Sequence, residues 1–250
     1  MTKQMTVLLP QPIEAEAMQV LKKGDIDVLT AKEPKPEIVG PLMKEARAVV
    51  LRTGIRMSRE LLAFPNKLMM ISRTGAGVDN VDIPAATEQG IIVTSSIGVN
   101  TTSVVEHALA LILALFKQLF LMDGEVRKGN FAIRYKNCPT DLRDKTLGIV
   151  GFGRIGSAIA QACHSVFAMK ILAHDALLTD AQKNGYRDWV AFTDLPDLCR
   201  RSDCISIHTP LTRETEKMFD SRFFSGMKKT AFIINTSRGG VINEADLIEA

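Results

Sequence analysis

The sequence predicts an α/β fold of two doubly wound parallel-sheet domains, and three observations carry that prediction. Short apolar runs of strand type alternate with segments of helical periodicity, the pattern of a parallel sheet covered on both faces. One such strand, Leu147 to Val150, runs into a glycine turn, Gly151-Phe152-Gly153-Arg154-Ile155-Gly156, and then into a helical stretch with Ile155, Ala158, Ile159 and Ala162 on one side. The 250 residues are enough for two domains, each with its own core.

In the first hundred residues, Met5 to Leu9 reads as a strand and Ile13 to Leu21 as a helix with Ile13, Ala17, Val20 and Leu21 inward. Strands follow at Ile26 to Leu29, Arg47 to Leu51, Leu68 to Ser72 and Ile91 to Thr94. Helices are expected at Pro36 to Lys44, Ser58 to Leu62 and Ile83 to Gln89. Ligands of such sheets gather at the C-terminal ends of the strands. Two of those ends carry polar, flexible sequence. Arg52-Thr53-Gly54 sets a cation and a loop where an anion would bind; a solvated or ion-paired arginine is the alternative. In the run Arg73 to Asp79, Gly75, Ala76 and Gly77 offer successive backbone N–H groups to a carboxylate, whereas Arg73 itself reads as a solvated or ion-paired cation.

Ser96 to Thr102 is a loop. Thr101, Thr102 or Ser103 would cap the next helix, with Glu106 completing a capping box on Ser103. Val104 to Met122 reads as one very apolar helix buried against protein, crossing between domains and available to a partner subunit. Its longest uninterrupted apolar stretch, Ala108 to Phe116, is far shorter than the ~18 residues of a membrane span. His107 reads as an interface histidine. After the glycine turn and its helix come a strand at Lys170 to His174, a helix at Leu195 to Arg201, and strands at Asp203 to His208 and Ala231 to Asn235. Asn243 is expected to cap a final helix.

The glycine turn carries the chemistry. Its first glycine permits the tight turn, its second lets a pyrophosphate approach the backbone, and its third lets the helix close on the strand. Asp175 ends the next strand, twenty-four residues after Gly151, near the ~20 expected of an acid that binds the adenine ribose; a capping role is the alternative. Ala176 and Leu177 follow it with no adjacent arginine, which favours NAD over NADP. Arg238 ends the strand of Ala231 to Asn235 and suits a substrate carboxylate and carbonyl. His208 reads as a cofactor-wall or core histidine ahead of a general acid.

Composition narrows the classes. A net charge of +3 with lysines and arginines interspersed among acids argues against a nucleic-acid partner. The stretch MTKQMTVLLPQP has no secretory leader, and Cys138, Cys163, Cys199 and Cys204 form neither a C-x-x-C pair nor a metal cluster, so a cytoplasmic protein with reduced thiols is expected. With no G-x-S-x-G elbow and no metal-ligand cluster, hydrolase chemistry lacks support.

Taken together, RTGAGVDNVDI at Arg73 to Ile83, NTTSVVEHALALILAL at Asn100 to Leu115, GIVGFGRIG at Gly148 to Gly156, HTPLTRET at His208 to Thr215 and INTSRGGVINEADL at Ile234 to Leu247 resemble the D-2-hydroxyacid dehydrogenase family, which includes D-3-phosphoglycerate dehydrogenases. The resemblance implies a flavodoxin-like substrate domain over residues 1–99 and a Rossmann NAD-binding domain over residues 100–250. It implies hydride transfer between NAD and a D-2-hydroxy or 2-keto acid, with 3-phosphoglycerate among the substrates, and a homodimer or larger assembly. A corepressor-like NAD sensor of the same fold is the non-enzymatic alternative.

By the same resemblance Arg238 is the catalytic arginine, and Arg52, Thr53, Gly75, Ala76, Gly77 and Asn100 face the substrate. Gly151, Gly153, Arg154, Ile155, Gly156, Asp175, His208, Thr209, Pro210, Thr215, Thr236 and Ser237 surround the cofactor. The family's catalytic glutamate and histidine lie downstream of the arginine. The sequence reaches Ala250 twelve residues after Arg238, before either, so it is expected to be a C-terminally truncated piece with little or no turnover of its own.

Overall fold

The computed structural model describes residues 5–250. Residues 1–4, which begin the stretch read as lacking a leader, lie outside the described residues. The chain divides into two compact units, Met1–Asn100 and Thr101–Ala250.

The first unit contains β1 (Thr6–Leu9), α1 (Ala15–Lys23), β2 (Asp27–Thr30), α2 (Pro36–Leu42), β3 (Ala48–Leu51), α3 (Arg59–Leu62), β4 (Met70–Arg73), α4 (Ile83–Glu88) and β5 (Ile92–Ser95). All five strands are parallel, in the order β2-β1-β3-β4-β5, the flavodoxin-like winding. Leu8, Val49 and Ile71 stand side by side in register and form one core with Val39 and Met43 of the α2 region, Leu61 and Leu62 of α3, and Ala85 and Ala86 of α4. Ser58 and Asp82 cap α3 and α4 by accepting the Leu61 and Ala85 N–H groups.

Two expectations for this unit change. The inward face of α1 keeps Ala17 and Leu21 half-buried as expected, but Val20 is exposed and Met18 is half-buried in its stead. The helix also starts two residues later than expected. β4 extends to Arg73 instead of ending at Ser72, because Arg73 still pairs in register with Leu51 of β3 and Ser95 of β5, with its side chain buried and hydrogen-bonded.

The second unit contains α5 (Thr101–Phe116), α6 (Leu119–Arg127), α7 (Ile133–Lys136), β6 (Thr146–Val150), α8 (Arg154–Phe167), β7 (Lys170–His174), α9 (Asp180–Asn184), β8 (Val190–Phe192), α10 (Leu195–Arg201), β9 (Cys204–Ile207), α11 (Ser221–Phe224), β10 (Phe232–Asn235) and α12 (Glu244–Glu249). Its parallel sheet runs β10-β9-β6-β7-β8. Counted from β6, that is the 3-2-1-4-5 order of the Rossmann fold, which reverses direction between β6 and β9. Leu147 and Ile149 of β6 face one core with α5 and α8, and Val150 faces the other with α10. That alternation places helices on both faces of the sheet.

The predicted Val104 to Met122 helix is two. Gln118 takes a left-handed conformation (φ 50°), and α5 and α6 meet there at 61°. The segment after α7 enforces the break. Thr140 N–H donates to the Phe116 carbonyl (3.0 Å), Asn137 Nδ2 donates to Gln118 Oε1 (2.8 Å), and Lys117 pairs with Asp141 (2.5 Å). These bonds satisfy a helix end that would otherwise expose orphan carbonyls. α5 lies in its own unit's core through Ala108, Ile112 and Phe116, whereas Leu119, Phe120 and Leu121 of α6 are exposed. Among the described residues no single helix is long and apolar enough to cross a membrane.

The start of α5 differs as well. It begins at Thr101, so Ser103 sits inside the first turn and forms no capping box with Glu106. His107 is exposed on α5. Asn243 occupies the N-cap position of α12 without a side-chain cap bond; its own N–H donates to the Phe219 carbonyl (2.8 Å).

Candidate functional site

The C-terminal ends of β7, β6, β9 and β10 stand in a row in the second unit, and they carry Asp175, the glycine turn, His208 and Arg238 respectively. Gly151 takes φ 91°, and a Cβ there would lie 2.8 Å from the His208 backbone carbon. Only glycine fits so close to the neighbouring strand end. A Cβ at Gly156 would collide with the Gly151 carbonyl oxygen, which makes it the contact that lets α8 start against β6. A Cβ at Gly153 would meet nothing within 4 Å. The second glycine therefore faces open space, and Arg154 and Ile155 begin α8 with N–H groups that have no intrahelical partner.

Asp175 is bound to the glycine turn itself. Its Oδ2 accepts the Phe152 N–H (2.7 Å), and its Oδ1 accepts those of Leu177 (2.8 Å) and Leu178 (3.1 Å). Both readings of this acid therefore acquire a structural component, an Asx-type turn plus a clamp on the loop.

His208 Nε2 lies 2.8 Å from Ser206 Oγ, its partner two residues earlier on the same face of β9. Burial lowers the His208 pKa from 6.5 to about 4, so the ring is neutral at pH 7. Such a ring carries no extra proton to give at neutral pH. The unfolded chain binds the proton more readily, so this group's contribution is complete above about pH 6.5 and is lost as pH falls towards 4. Full loss would amount to about 3 kcal/mol. Urea unfolding at pH 7 and pH 4.5 checks it: His208→Gln should lose visibly less stability between those pH values than wild type.

Thr209 and Thr236, at the ends of β9 and β10, each bury a hydroxyl with no hydrogen-bond partner. Buried polar atoms left unsatisfied cost stability. Two of them flanking the row are what a bound polar ligand would relieve. Thr215 braces a turn, donating to the Pro210 carbonyl (2.6 Å) and accepting the Thr212 N–H (2.8 Å). Asn235 organises the next loop: Oδ1 accepts Ser237 N–H and Oγ–H (3.0 and 2.8 Å), and Nδ2 donates to the Arg238 carbonyl (2.9 Å). Arg238 is half-buried, and its Nη1 donates to the Ser237 carbonyl (3.0 Å). Sequence reasoning overlooked Phe152, Ser206 and Asn235. Ser206 was discoverable by strand periodicity, two residues before the histidine it holds.

The remaining predicted positions belong to the first unit. Arg52 Nη1 pairs with Glu14 (2.9 Å) and donates to the Pro12 carbonyl (3.0 Å), which is the ion-paired alternative. Thr53, Ala76 and Asn100 are exposed. Arg73 is buried, not solvated: Nε donates to Asn80 Oδ1 (2.9 Å) and Nη1 to the Leu51 carbonyl (3.4 Å). Gly75 and Gly77 take no positive φ, so the N–H nest of alternating hand does not form. Gly75 instead makes room for the guanidinium, since a Cβ there would lie 3.1 Å from Arg73 Nη1. Of the cysteines, Cys163, Cys199 and Cys204 are buried and Cys138 is exposed, all as free thiols. Burial raises the Cys163 and Cys199 pKa values to about 12, which removes them as nucleophiles.

Residues 109–250 match the NAD binding domain of the D-isomer specific 2-hydroxyacid dehydrogenases. The chain belongs to that family. It is 34% identical to a D-3-phosphoglycerate dehydrogenase of Archaeoglobus fulgidus over 98% of this chain and 46% of the relative. A hydroxypyruvate reductase of Thermotoga maritima is 32% identical over 95% of this chain and 76% of its own length. A D-lactate dehydrogenase from Aquifex aeolicus, solved with NAD and lactic acid, superposes with a TM-score of 0.88 at 29% identity, covering 98% of this chain and 72% of that one. The chain thus spans less than half the length of the phosphoglycerate dehydrogenase it matches and about three quarters of the shorter relatives. NAD is the cofactor of this 2-hydroxyacid dehydrogenase domain, and the open face of Gly153 together with the two orphaned threonine hydroxyls fits it.

Proposed function

We propose that this 2-hydroxyacid dehydrogenase chain serves an oxidoreductase that interconverts a D-2-hydroxy acid and a 2-keto acid, and that it works in the cytoplasm as a homodimer. The observation that carries the reading is Arg238, held by Asn235 in the same row of strand ends as the glycine turn. NAD, when bound, supplies the hydride acceptor or donor. The N–H groups of Arg154 and Ile155 hold its pyrophosphate at the α8 N-terminus, Asp175 takes the adenine ribose hydroxyls, and Thr209 and Thr236 gain their missing partners. Arg238 binds the substrate carboxylate and draws electron density from the reacting carbonyl.

The test has two arms. Isothermal titration of the 250-residue chain with NAD reads the cofactor site. Turnover of the full-length protein with NADH and pyruvate, hydroxypyruvate or 3-phosphohydroxypyruvate reads the chemistry. NAD affinity without turnover on any 2-keto acid would favour the sensor alternative. Arg52 decides among substrates: a phosphate must draw it from Glu14, whereas a short acid leaves that pair intact. Arg52→Ala is therefore expected to raise KM for 3-phosphohydroxypyruvate about tenfold or more and leave that for pyruvate within about twofold, if phosphorylated acids are the substrates.

The dimer reading rests on α6 and α7, where Phe120, Phe131 and Tyr135 are 80%, 60% and 75% exposed. The Arg134 guanidinium lies 4.2 Å and 4.6 Å from the ring centres of Phe131 and Tyr135, a grouping typical of interface anchors. Phe120→Glu should raise the dimer dissociation constant about a hundredfold in light scattering, and Val20→Glu on α1 should not. Wild-type protein that is monomeric at micromolar concentration would remove this part of the proposal.

A further inference from the structure

Asp175 is not the only anchor of the glycine turn. The Phe152 side chain, 3% exposed, points away from the open face and into a socket of rings. It meets Tyr186 at 5.0 Å between ring centres and Phe192 at 5.3 Å, both edge to face, with Trp189 tilted at 6.5 Å. Edge-to-face contact fixes the orientation of a ring as well as its distance, because the positive edge of one seeks the negative face of another. Trp189 also stacks on His164 (5.3 Å, 27° between planes), in the last turn of α8. His164 in turn reaches the Met169 carbonyl through Nδ1 (3.3 Å). One cluster, borne by the α9–β8 connection and the end of β8, thus grips both the residue before Gly153 and the far end of the helix that Gly153 starts.

A helix N-terminus binds a phosphate well only when its N–H groups are held in one direction, since any wobble must be frozen out on binding. We propose that Tyr186, Trp189 and Phe192 are positioning residues that act through Phe152 and His164. They aim the first N–H groups of α8 and so set the affinity for pyrophosphate-bearing nucleotides without touching them. The inference rests on the nucleotide reading of the glycine turn. It goes beyond that reading by assigning a role to three residues outside the motif, on the α9–β8 connection and β8, where no ligand contact is predicted.

The test is isothermal titration of the 250-residue chain with ADP-ribose, NAD and adenosine. Tyr186→Ala is expected to weaken ADP-ribose and NAD alike by about threefold to tenfold, the equivalent of one aromatic contact, and to leave adenosine unchanged. Tyr186→Phe, which keeps the ring, should bind all three as wild type does. Phe192→Leu is a milder variant that keeps an apolar side chain but removes the ring, and it should show the same selective loss if Tyr186→Ala does not fold. All three variants keep Trp189, the sole tryptophan, whose emission reports a folded socket. Folded variants with wild-type ADP-ribose affinity would overturn the proposal, as would equal losses for ADP-ribose and adenosine. A wild-type chain that binds neither NAD nor ADP-ribose would instead overturn the nucleotide reading and take this inference with it.

Discussion

Arg238→Gln in the full-length protein is expected to lower kcat/KM for 2-keto acid reduction by about 10²–10³-fold, with NAD affinity changed less than about twofold. Glutamine keeps an N–H donor but reaches two bonds less far and loses the charge and the forked pair of N–H groups that matches a carboxylate. The backbone should survive the change. The Arg238 carbonyl is held by Asn235 Nδ2, and Ser237 by Asn235 Oδ1, and neither bond involves the guanidinium. Arg238→Lys should recover only part of the loss, since a single ammonium cannot address carboxylate and carbonyl in one plane. Steady-state kinetics with a 2-keto acid, paired with NAD titration, separate the cases. A variant with near wild-type kcat/KM removes Arg238 from the chemistry. A matching fall in NAD affinity would recast it as a residue that shapes the β10 loop.

The strands were the most legible part of the fold. β1, β3, β6, β7 and β9 are apolar runs with a core on at least one side, and hydrophobicity alone finds them. What escaped was polar, short or shaped from elsewhere. α9 is Asp-Ala-Gln-Lys-Asn, with no apolar stripe, although Thr179 and Gln182 form a full capping box that the T-x-x-Q spacing announces. β8 has three residues and α11 four, below the length at which a period shows. The break at Gln118 could not be read locally, because Asn137, Thr140 and Asp141 impose it from about twenty residues away. β4 was cut short for a related reason. Its last residue is a buried arginine, and composition cannot show that Asn80 and the Leu51 carbonyl await it.

In the candidate site, residues defined by backbone constraint were readable and those defined by partners were not. Gly151 and Gly156 occupy places where a Cβ collides with backbone, so the motif and the geometry carry the same information. Gly75 is a glycine for a different reason than the one inferred, since the group crowding it is a guanidinium and not an arriving carboxylate. Arg52 reads as an open cation because Glu14, thirty-eight residues away, is invisible to a local reading. Thr209 and Thr236 reverse the pattern. Composition and spacing do not separate them from other threonines; the resemblance of the HTPLTRET and INTSRGGVINEADL stretches does, and their buried, unsatisfied hydroxyls mark them as places a ligand would complete.

Asp175 is expected to make the 250-residue chain bind NAD about a hundredfold more tightly than NADP, and its replacement is expected to separate two roles that one carboxylate combines. A 2′-phosphate brought within about 4 Å of a carboxylate costs several kcal/mol at an effective dielectric near 20, and partial solvation brings that down to roughly 2–3 kcal/mol. Asp175→Asn removes the charge but keeps an oxygen that can accept the Phe152 N–H, now 2.7 Å from Oδ2. NAD should weaken about tenfold while NADP binds as well as before or better, so the preference narrows from one side. Asp175→Ala removes all three backbone bonds, to Phe152, Leu177 and Leu178. The glycine turn then loses its carboxylate clamp, and ADP-ribose and NADP should weaken along with NAD, by a further tenfold or so. If alanine and asparagine gave the same profile, the bond to Phe152 would contribute nothing to binding and Asp175 would act on the ribose alone. If wild type preferred NADP, the ribose assignment itself would fall, because no arrangement of an unscreened carboxylate at that strand end favours the extra phosphate.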